Sequence, residues 1–409
     1  MAQNSTQWIC CQIGAREHYA IPHTLYQNHK LISLITDTWV TPQSLIGKLP
    51  TPFFNNLKDR FHLGLSTASI RAFTRSSIQF EIACKFQKIS GWQQVIARNS
   101  WFQKRAIQSL KSLIPQLNRQ IHAPILFTYS YAALELLEFA RSQGWKTVLG
   151  QIDPGLVEEK IVVEAHQNHP ELAPFWQPAP LSYWENWKKE CEIADQILVN
   201  SHWSKLALEK VGVLPEKINT ISLAYAPSEA IQKFKRMYPS QFSVQRPLKV
   251  LFLGQIILRK GIAELLEAAR LLQDQPIEFW LVGSLGIERS HLALPNVSWL
   301  GPVPRSQVIK YYQQADLFLF PTLSDGFGLT QLEAQSWNLP IISSRFCGEV
   351  VKDQENGIIL SEVSGSTIAQ TLRFCLQHPE KLTQFAKSSN LLTEFNFHHL
   401  YSCLQTLAD

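Results

Sequence analysis

The chain has 409 residues, of which 45% are hydrophobic and 17% charged, and its net charge is +5. This length predicts two or three domains, each able to bury a large core. No run of eighteen apolar residues occurs, which argues against a membrane-spanning helix, and we expect no signal peptide at the N-terminus. The seven cysteines form no C-x-x-C pair, so we expect reduced thiols in the cytoplasm rather than a disulfide framework or a zinc site.

Basic residues are concentrated in residues 51–120, which contain eleven Lys and Arg against two acidic residues. Aromatic residues are interspersed among them: Phe53, Phe54, Phe61, Trp92, Trp101 and Phe102. Such a surface can lie against an anionic leaflet, where each basic residue contributes roughly 1 kcal/mol. We therefore predict peripheral contact with the inner face of a membrane through residues 51–120, with a solvated helical face as the alternative. A basic aromatic surface can also bind nucleic acid, but we do not expect that partner.

The first half of the chain alternates short apolar runs with helical patterns, which is typical of βαβ units. The predicted strands are Gln7–Ile13, Leu31–Thr36, Ile125–Tyr129, Lys146–Ile152, Gln196–Asn200 and Lys217–Leu223. Between residues 53 and 122 the pattern is helical and irregular. The polar, proline-bearing stretch 226–247 predicts a linker after an N-terminal domain of residues 1–225.

The second half shows the same alternation more clearly. The predicted strands are Leu248–Gly254, Pro276–Gly283, Val297–Leu300, Leu317–Pro321, Leu339–Ser343 and Ile358–Leu360, and the predicted helices are Gly261–Gln273, Arg305–Ala315 and Ser364–Gln377. We assign residues 248–385 to a C-terminal domain and residues 386–409 to a helical segment that could pack back on the N-terminal domain. The fold class is therefore α/β, with two Rossmann-like domains that face each other across a cleft, where the strand carboxyl ends bind ligands.

The stretch from Ala315 to Ser344 is the most informative for function, because it joins a strand, a glycine-bearing loop and a helix. Asp325 lies in the loop, and Glu333 lies about one turn into the helix. The free backbone N–H groups of a helix N-terminus attract phosphate, whereas carboxylates accept hydrogen bonds from hydroxyls. Phosphate together with hydroxyls describes a nucleotide sugar. The alternative is an ordinary strand–loop–helix with two solvated acids.

The run Asp325-Gly-Phe-Gly-Leu-Thr-Gln-Leu-Glu333 resembles the E-G-F-G-L-x-x-x-E signature of the group 1 glycosyltransferases, also called glycosyltransferase family 4, which have the GT-B fold. The resemblance implies that Asp325, which replaces the usual Glu, holds a sugar hydroxyl and that Glu333 holds the ribose. It also implies that the loop backbone contacts the diphosphate and the sugar. The donor-binding loop residues are then Gly326, Phe327, Gly328 and Leu329.

A second run, from Gly254 to Gly261, resembles the G-R-x-x-x-x-K-G donor loop of the same family. Gly254 and Lys260 match, whereas Gln255 stands where the family has Arg. Lys260 supplies a mobile point charge for phosphate oxygens, and Arg259 supplies a planar fork. The alternative for this run by itself is a helix start with an exposed basic pair.

Two further turns complete the predicted donor side of the cleft. Gly283 ends a strand and permits close approach of a ligand to the backbone. Val303 lies in a region that the resemblance places along the nucleobase. At both positions the alternative is a turn with a purely structural role.

The acceptor side of the cleft is predicted from two N-terminal segments. Gly14, Arg16 and His18 belong to a loop after the first strand, and the resemblance implies that this loop closes over the donor and orients the acceptor. Asp153 belongs to a run that resembles the family's V-x-H-D-P, with Ile152 at the His position. Asp153 could contact sugar or acceptor, or it could simply make the turn before proline.

The resemblance implies a retaining glycosyltransferase that moves a sugar from a nucleotide diphosphate sugar to a saccharide or lipid-linked saccharide acceptor. The predicted catalytic residues are Lys260, Asp325 and Glu333. We expect no metal ion and no cofactor beyond the sugar nucleotide, because Lys260 and a helix N-terminus can carry the charge of the leaving diphosphate. Two alternatives stay open: a nucleotide-sugar epimerase, and a non-catalytic partner of another transferase that binds nucleotide sugar.

Overall fold

The computed structural model describes residues 6–44, 57, 60–120, 123–389 and 393–408. Within these residues the strands form two parallel sheets with flanking helices, which confirms the predicted α/β class. Among the same residues no helix combines the length and the apolar character that a membrane span needs.

The N-terminal sheet contains the strands β1 (Trp8–Gln12), β2 (Leu31–Thr36), β3 (Ile70–Ala72), β4 (Ile125–Tyr129), β5 (Lys146–Gln151), β6 (Gln196–Val199) and β7 (Ile218–Thr220). Their spatial order is β3-β2-β1-β4-β5-β6-β7, so the sheet has its topological switch point between β1 and β4. The helices of this half are α1 (Ala20–Gln27), α2 (Thr74–Phe86), α3 (Gly91–Gln120), α4 (Leu134–Ser142), α5 (Leu156–Asn168), α6 (Leu181–Ile193) and α7 (His202–Lys210).

The C-terminal sheet contains the strands β8 (Leu248–Leu253), β9 (Ile277–Val282), β10 (Val297–Gly301), β11 (Leu317–Phe320), β12 (Ile341–Ser343) and β13 (Gly357–Ile359). Their order is β10-β9-β8-β11-β12-β13, which places a second switch point between β8 and β11. The helices are α8 (Ile262–Leu271), α9 (Arg305–Gln314), α10 (Leu329–Ser336), α11 (Gly365–Gln377), α12 (Pro379–Ser388) and α13 (Phe397–Ala408).

The twelve predicted strands are all present, most of them within one or two residues of the predicted ends. The last predicted strand of the first half is shorter than expected, because only residues 218–220 pair with β6. Strand β3 was not predicted, since it has three residues, none of them fully buried, at the sheet edge. The stretch 226–247 packs on the C-terminal half, where Arg236 donates hydrogen bonds to the carbonyl oxygens of Tyr312 and Trp337 at 2.6 and 3.1 Å.

Apolar periodicity explains how the helices attach to the sheets. In α8 the buried side chains include Ile262, Leu265, Leu266 and Ala269, which recur at helical spacing on one face. Burial of a Leu or Ile side chain contributes roughly 1.5–3 kcal/mol. This face therefore fixes α8, and with it the turn that precedes it, against the sheet.

Helix α13 returns to the N-terminal half of the molecule. Its side chains Leu400, Leu404 and Leu407 lie in the same hydrophobic cluster as Trp8 and Leu25. The chain therefore crosses between the two halves a second time, after α12.

The loop that precedes α10 contacts the N-terminal half directly. Trp203 on α7 donates a hydrogen bond to Ser324 Oγ at 3.1 Å, and Ser204 donates to the Gly326 carbonyl at 3.4 Å. A Cβ atom on Gly326 would lie 2.0 Å from the Ile152 carbonyl oxygen, so only glycine fits this approach. The two domains thus meet where the carboxyl ends of β5 and β11 face each other.

Candidate active site

Two glycines open the edge of the C-terminal sheet. Gly254 and Gly283 follow β8 and β9, with φ angles of +151° and +148° that favour glycine. A Cβ atom on Gly283 would lie 1.8 Å from the Gly254 carbonyl oxygen. Gly254 and Gly283 therefore have no side chain that covers the backbone, and a ligand can approach the strand ends there. Gln255, at the next position, is exposed.

A buried ion pair lies beside this edge. Lys260 ends a short turn before α8 and pairs with Asp325, and only 14% of each side chain is exposed. The Lys260 ammonium also lies 5.1 Å from the centre of the Phe320 ring. Burial lowers the pKa of Lys260, while the two neighbouring cations, Lys260 and Arg259, outweigh burial and hold the pKa of Asp325 below its usual value. The structure thus brings together two of the three predicted catalytic residues.

The Arg259 side chain contacts both its own domain and the N-terminal domain. Its guanidinium donates to the Ser324 carbonyl at 3.0 Å and forms an ion pair with Glu158 of α5 at 3.4 Å. Asp325 is slightly farther away, at 3.9 Å. Arg259 therefore joins the domains at the cleft, and a contact with phosphate stays a prediction.

Contacts of Phe327 hold the loop before α10 in place. Phe327 is buried and packs edge-on against Phe395 at 5.9 Å, and its N–H donates to Asp325 Oδ1 at 3.4 Å. Gly328 is the N-cap residue of α10, whose first turn begins at Leu329, and it provides no side-chain cap; the Gln331 N–H donates to the Gly328 carbonyl at 3.0 Å. Gly326 and Phe327 are buried, whereas Gly328 and Leu329 are partly exposed at the start of α10, and contact of this loop with a donor stays a prediction.

Glu333 occupies the second turn of α10, as predicted. Its carboxylate accepts a hydrogen bond from the Tyr312 hydroxyl at 2.8 Å. Burial raises the pKa of Glu333, and the Tyr312 hydrogen bond and the nearby Arg305 oppose that rise. Val303 is partly buried against the hydrophobic cluster under this site. Glu333 and Val303 therefore belong to one wall of the cleft, with Tyr312 and Arg305.

The N-terminal loop faces the same cleft. Gly14 has a φ of +80°, and its N–H donates to Asp37 Oδ1 at 2.8 Å. Arg16 is exposed, and His18 is half-buried. Burial lowers the pKa of His18 to about 4, and the charge of Arg305 from the opposite domain adds to this effect. The closure loop and the Glu333 wall are thus neighbours across the cleft.

Asp153 has a structural role at the end of β5. Its Oδ1 accepts hydrogen bonds from the Tyr131 hydroxyl at 2.5 Å, from Gln151 Nε2 at 3.0 Å and from the Gly155 N–H at 2.9 Å. The turn role weighed for Asp153 is therefore present in the structure. Contact with an acceptor stays a prediction.

A cavity of about 240 Å³, here called the aromatic cavity, adjoins Asp153 and Arg259. Its walls are aromatic rings and carboxylates from the N-terminal half, together with residues of the C-terminal half. They include Trp92, Tyr131, Asp153, Glu158, Glu159, His166, Trp176, Tyr183, Trp184, Ile257, Arg259 and Gly286. Two ring pairs in it are stacked, His166 on Trp176 at 3.8 Å and Tyr131 on Tyr183 at 4.9 Å.

Several of these residues escaped the sequence analysis. Glu158, Tyr312 and Arg305 carry no motif, and each reaches the site only through tertiary packing. The aromatic residues of the cavity come from three helices, α3, α5 and α6, and from two loops. Only the high tryptophan content, twelve residues, could have pointed to them.

Comparisons with known proteins bear on the family and the fold. Residues 247–378 match the family model described as Glycosyl transferases group 1. The amylovoran biosynthesis glycosyltransferase AmsK of Erwinia amylovora is 24% identical over 218 residues, which cover 49% of this chain and 52% of that protein. The chain spans about half the length of the curated relatives it matches.

Solved structures resemble nearly the whole chain. HepE of Anabaena in complex with UDP has a TM-score of 0.61 at 13% identity, covering 98% of this chain and 100% of that one. The sucrose-phosphate synthase of Thermosynechococcus elongatus has a TM-score of 0.64 at 16% identity, covering 98% of each chain. These likenesses confirm the predicted fold of two Rossmann-like domains across a cleft.

Proposed function

Because residues 247–378 belong to the group 1 glycosyltransferase family, we propose that this GT-B chain is a retaining glycosyltransferase. It moves a hexose from a nucleotide diphosphate sugar to a saccharide or lipid-linked saccharide. A uridine nucleotide is the first candidate donor, since HepE, which has the same fold, was solved with UDP.

The observation that carries this proposal is the position of Lys260 and Asp325 between bare strand ends and the N-terminus of α10. A buried ammonium and the free N–H groups of a helix both favour the oxygens of a diphosphate. Asp325 adds a carboxylate that accepts a hydrogen bond from a sugar hydroxyl. This set of groups complements a sugar diphosphate.

The reaction follows from the same groups. The bond between the anomeric carbon and the diphosphate oxygen breaks, and Lys260 and the α10 N–H groups stabilise the charge that develops on the diphosphate. The acceptor oxygen bonds to the anomeric carbon on the same face, and its proton passes to the departing phosphate oxygen. No protein nucleophile takes part in this scheme, and it requires no metal ion.

Glu333 would hold the ribose of the donor. Its carboxylate already accepts one hydrogen bond from Tyr312 and has capacity for hydroxyls of the sugar nucleotide. Val303 lies on the same wall, where it would contact the base.

The aromatic cavity supports a saccharide acceptor. Aromatic faces such as Trp176 and Tyr183 suit the apolar C–H surface of a sugar ring, and carboxylates such as Glu159 suit its hydroxyls. The cavity opens beside Arg259 and Asp153, next to the donor loop. An acceptor bound there would present a hydroxyl toward the Lys260–Asp325 pair.

Sugar transfer tests the proposal. The protein is incubated in EDTA with UDP-, GDP- and ADP-hexoses and a panel of saccharide acceptors, and both nucleotide release and the anomeric configuration of the product are followed. We expect acceptor-dependent release with one nucleotide and retention of configuration. An inverted product, an isomerised sugar nucleotide or binding without turnover would each contradict the proposal.

Peripheral membrane contact through residues 51–120 also stays a proposal. Phe86 and Ile82 on α2 are 85% and 49% exposed, close to Lys88, and they support it. Phe102 instead belongs to the core, and Phe53 and Phe54 lie outside the described residues. Sedimentation with phosphatidylserine-containing vesicles should pull down the wild type, and Phe86→Ser should weaken the binding. Equal binding to phosphatidylcholine vesicles would contradict an anionic-leaflet site.

A further inference from the structure

A second cavity, here called the polar cavity, lies in the N-terminal domain where β1, β4 and β5 end. Its volume of about 130 Å³ exceeds the space that one buried water needs. The sheet order reverses between β1 and β4, and open α/β sheets bind ligands at such a switch point. The polar cavity shares Tyr131, Asp153 and Tyr183 with the aromatic cavity, so the two are adjacent.

Four polar atoms of described residues that line this cavity are buried without a hydrogen-bond partner: Arg98 Nε, Gln12 Oε1, Ser130 Oγ and the Tyr129 hydroxyl. Buried polar groups are nearly always paired, so such a cluster indicates a missing partner. Arg98 Nε can only donate a hydrogen bond. Gln12 Oε1 can only accept one. The orientation of this amide is fixed, because its nitrogen donates to the Gly14 carbonyl at 2.7 Å. A matching ligand therefore offers both acceptor oxygens and hydroxyl donors.

The charge of the polar cavity is positive. Arg16 lies at its rim, 5.9 Å above the centre of the Tyr129 ring, and Arg98 lines its wall. Within the described part of the chain, neither arginine forms an ion pair with a carboxylate. Among the described residues that line the cavity, Asp153 is the one acid, and its Oδ1 is already held by three hydrogen bonds. The buried Glu17 carboxyl group lies behind the lining, where it interacts with Tyr129 and Arg16.

We propose that the polar cavity binds an anionic group, phosphate or carboxylate, on an acceptor sugar that also has free hydroxyls. This inference rests on the proposed function, since it names the acceptor of the same reaction. Arg98 and Arg16 hold the anionic group, because a guanidinium fork matches both phosphate and carboxylate. Gln12 and Ser130 hold the hydroxyls. The enzyme then prefers a charged acceptor over its neutral counterpart.

Inorganic phosphate and acetate are the probes that test this site. Each is titrated at constant ionic strength against the protein saturated with UDP, which occupies the proposed donor diphosphate site, and apparent affinities are taken from thermal melting. The variants are Arg98→Gln, Arg98→Lys, and the control Arg105→Gln, which changes an exposed arginine of the same helix α3. Melting without ligand confirms that each variant is folded.

We expect phosphate to stabilise the wild type and Arg105→Gln equally. Arg98→Gln should bind it about tenfold more weakly or worse, as expected for loss of a hydrogen bond to a charged group, and Arg98→Lys should recover part of the affinity. Stabilisation by acetate as well would assign a carboxylate-bearing acceptor, and stabilisation by phosphate alone a phosphorylated one. No stabilisation by either anion, or equal binding by Arg98→Gln, would overturn the inference. If UDP itself does not stabilise the protein, that result counts against the proposed function. The comparison of Arg98→Gln with the wild type would still show whether phosphate binds at the polar cavity.

Discussion

At the scale of single residues, Lys260 and Asp325 form one buried pair, so a change in either also affects its partner. Lys260→Met leaves Asp325 charged with only the longer ion pair to Arg259 at 3.9 Å, and breaking a buried pair costs up to about 3–5 kcal/mol of folding free energy. The double variant Lys260→Met/Asp325→Asn removes both charges and should recover much of that stability. Its transfer rate should stay at least about a hundredfold below wild type, because the charge that stabilises the leaving group is gone. Urea unfolding and initial rates measure the two effects.

Lys310→Met is the matched control for this pair, because Lys310 is an exposed lysine on α9 of the same domain. We expect it to change neither stability nor rate. Wild-type transfer by the double variant would show that Lys260 serves the fold alone.

The raised pKa of Glu333 predicts that donor binding depends on pH. Burial raises the pKa of Glu333, and only its ionised form accepts hydroxyl hydrogen bonds with both oxygens. Donor binding therefore favours the carboxylate, so affinity is full above the raised pKa and falls as the pH is lowered through it. Calorimetric titration of a nucleotide diphosphate sugar between pH 8 and pH 5 measures the effect, because both of its phosphates are esterified and stay ionised throughout this range.

Glu333→Gln should bind the donor about tenfold more weakly at pH 8 and lose this pH dependence. Glu355→Gln, at an exposed position of the same domain, should keep the wild-type profile. The interpretation fails if Glu333→Gln retains the wild-type slope.

Sequence patterns located the positions of these residues but not their partners. The spacing of Asp325 and Glu333 around a loop and a helix start was enough to place one in the loop and the other on α10. The Asp325–Lys260 contact joins residues 65 positions apart, and the Arg259–Glu158 contact crosses between domains. Such pairs depend on how the sheets and loops pack, which local patterns do not contain.

At the scale of elements, Glu190 of α6 caps the N-terminus of α4. Its Oε1 accepts hydrogen bonds from the N–H groups of Ala133 and Leu134 at 2.9 and 3.2 Å, and its Oε2 accepts one from Tyr131 at 2.7 Å. Glu190→Gln replaces one acceptor oxygen with an amide donor that faces these N–H groups. We expect a loss of about 1–3 kcal/mol in unfolding free energy at pH 8, measured by urea denaturation.

Glu138→Gln is the control for this cap, since Glu138 is exposed on α4 itself. It should leave stability within about 0.5 kcal/mol of wild type. Nucleoside diphosphate binding should be unchanged in both variants, because Glu190 lies in the N-terminal domain. Unchanged stability of Glu190→Gln would refute the capping role.

Strand prediction succeeded where burial is continuous. All five residues of β1 and of β4 are buried, so their apolar runs stand out in the sequence. Strand β3 is short and only partly buried at the sheet edge, so the surrounding helical pattern concealed it. The apolar pattern therefore predicted the buried central strands, whereas it did not predict the strand at the edge of the sheet.

At the scale of the whole molecule, Gly326 controls how closely the domains approach. A Cβ atom there would lie 2.0 Å from the Ile152 carbonyl oxygen of the opposite domain. Gly326→Ala should therefore push the domains apart and misplace acceptor against donor, which can cost about a hundredfold in rate. Small-angle scattering should show a larger radius of gyration, and initial rates should show the loss.

Gly357→Ala provides a control with an equally severe clash inside one domain. Its Cβ atom would lie 2.1 Å from the Ile341 carbonyl oxygen of the same sheet. It should destabilise the C-terminal domain without widening the cleft. An unchanged radius and rate for Gly326→Ala would show that the domain contact does not control closure.

The central claim is that the Lys260–Asp325 site binds the diphosphate of a sugar nucleotide without a metal ion. Thermal melting of the wild type and of Lys260→Met/Asp325→Asn with UDP, GDP and ADP in EDTA tests it most directly. Ligand at a hundred times its Kd should stabilise the wild type by about 2.7 kcal/mol. The account predicts this shift with one nucleotide in the wild type and little or none in the double variant. No shift with any nucleotide, or an equal shift in both proteins, would contradict it.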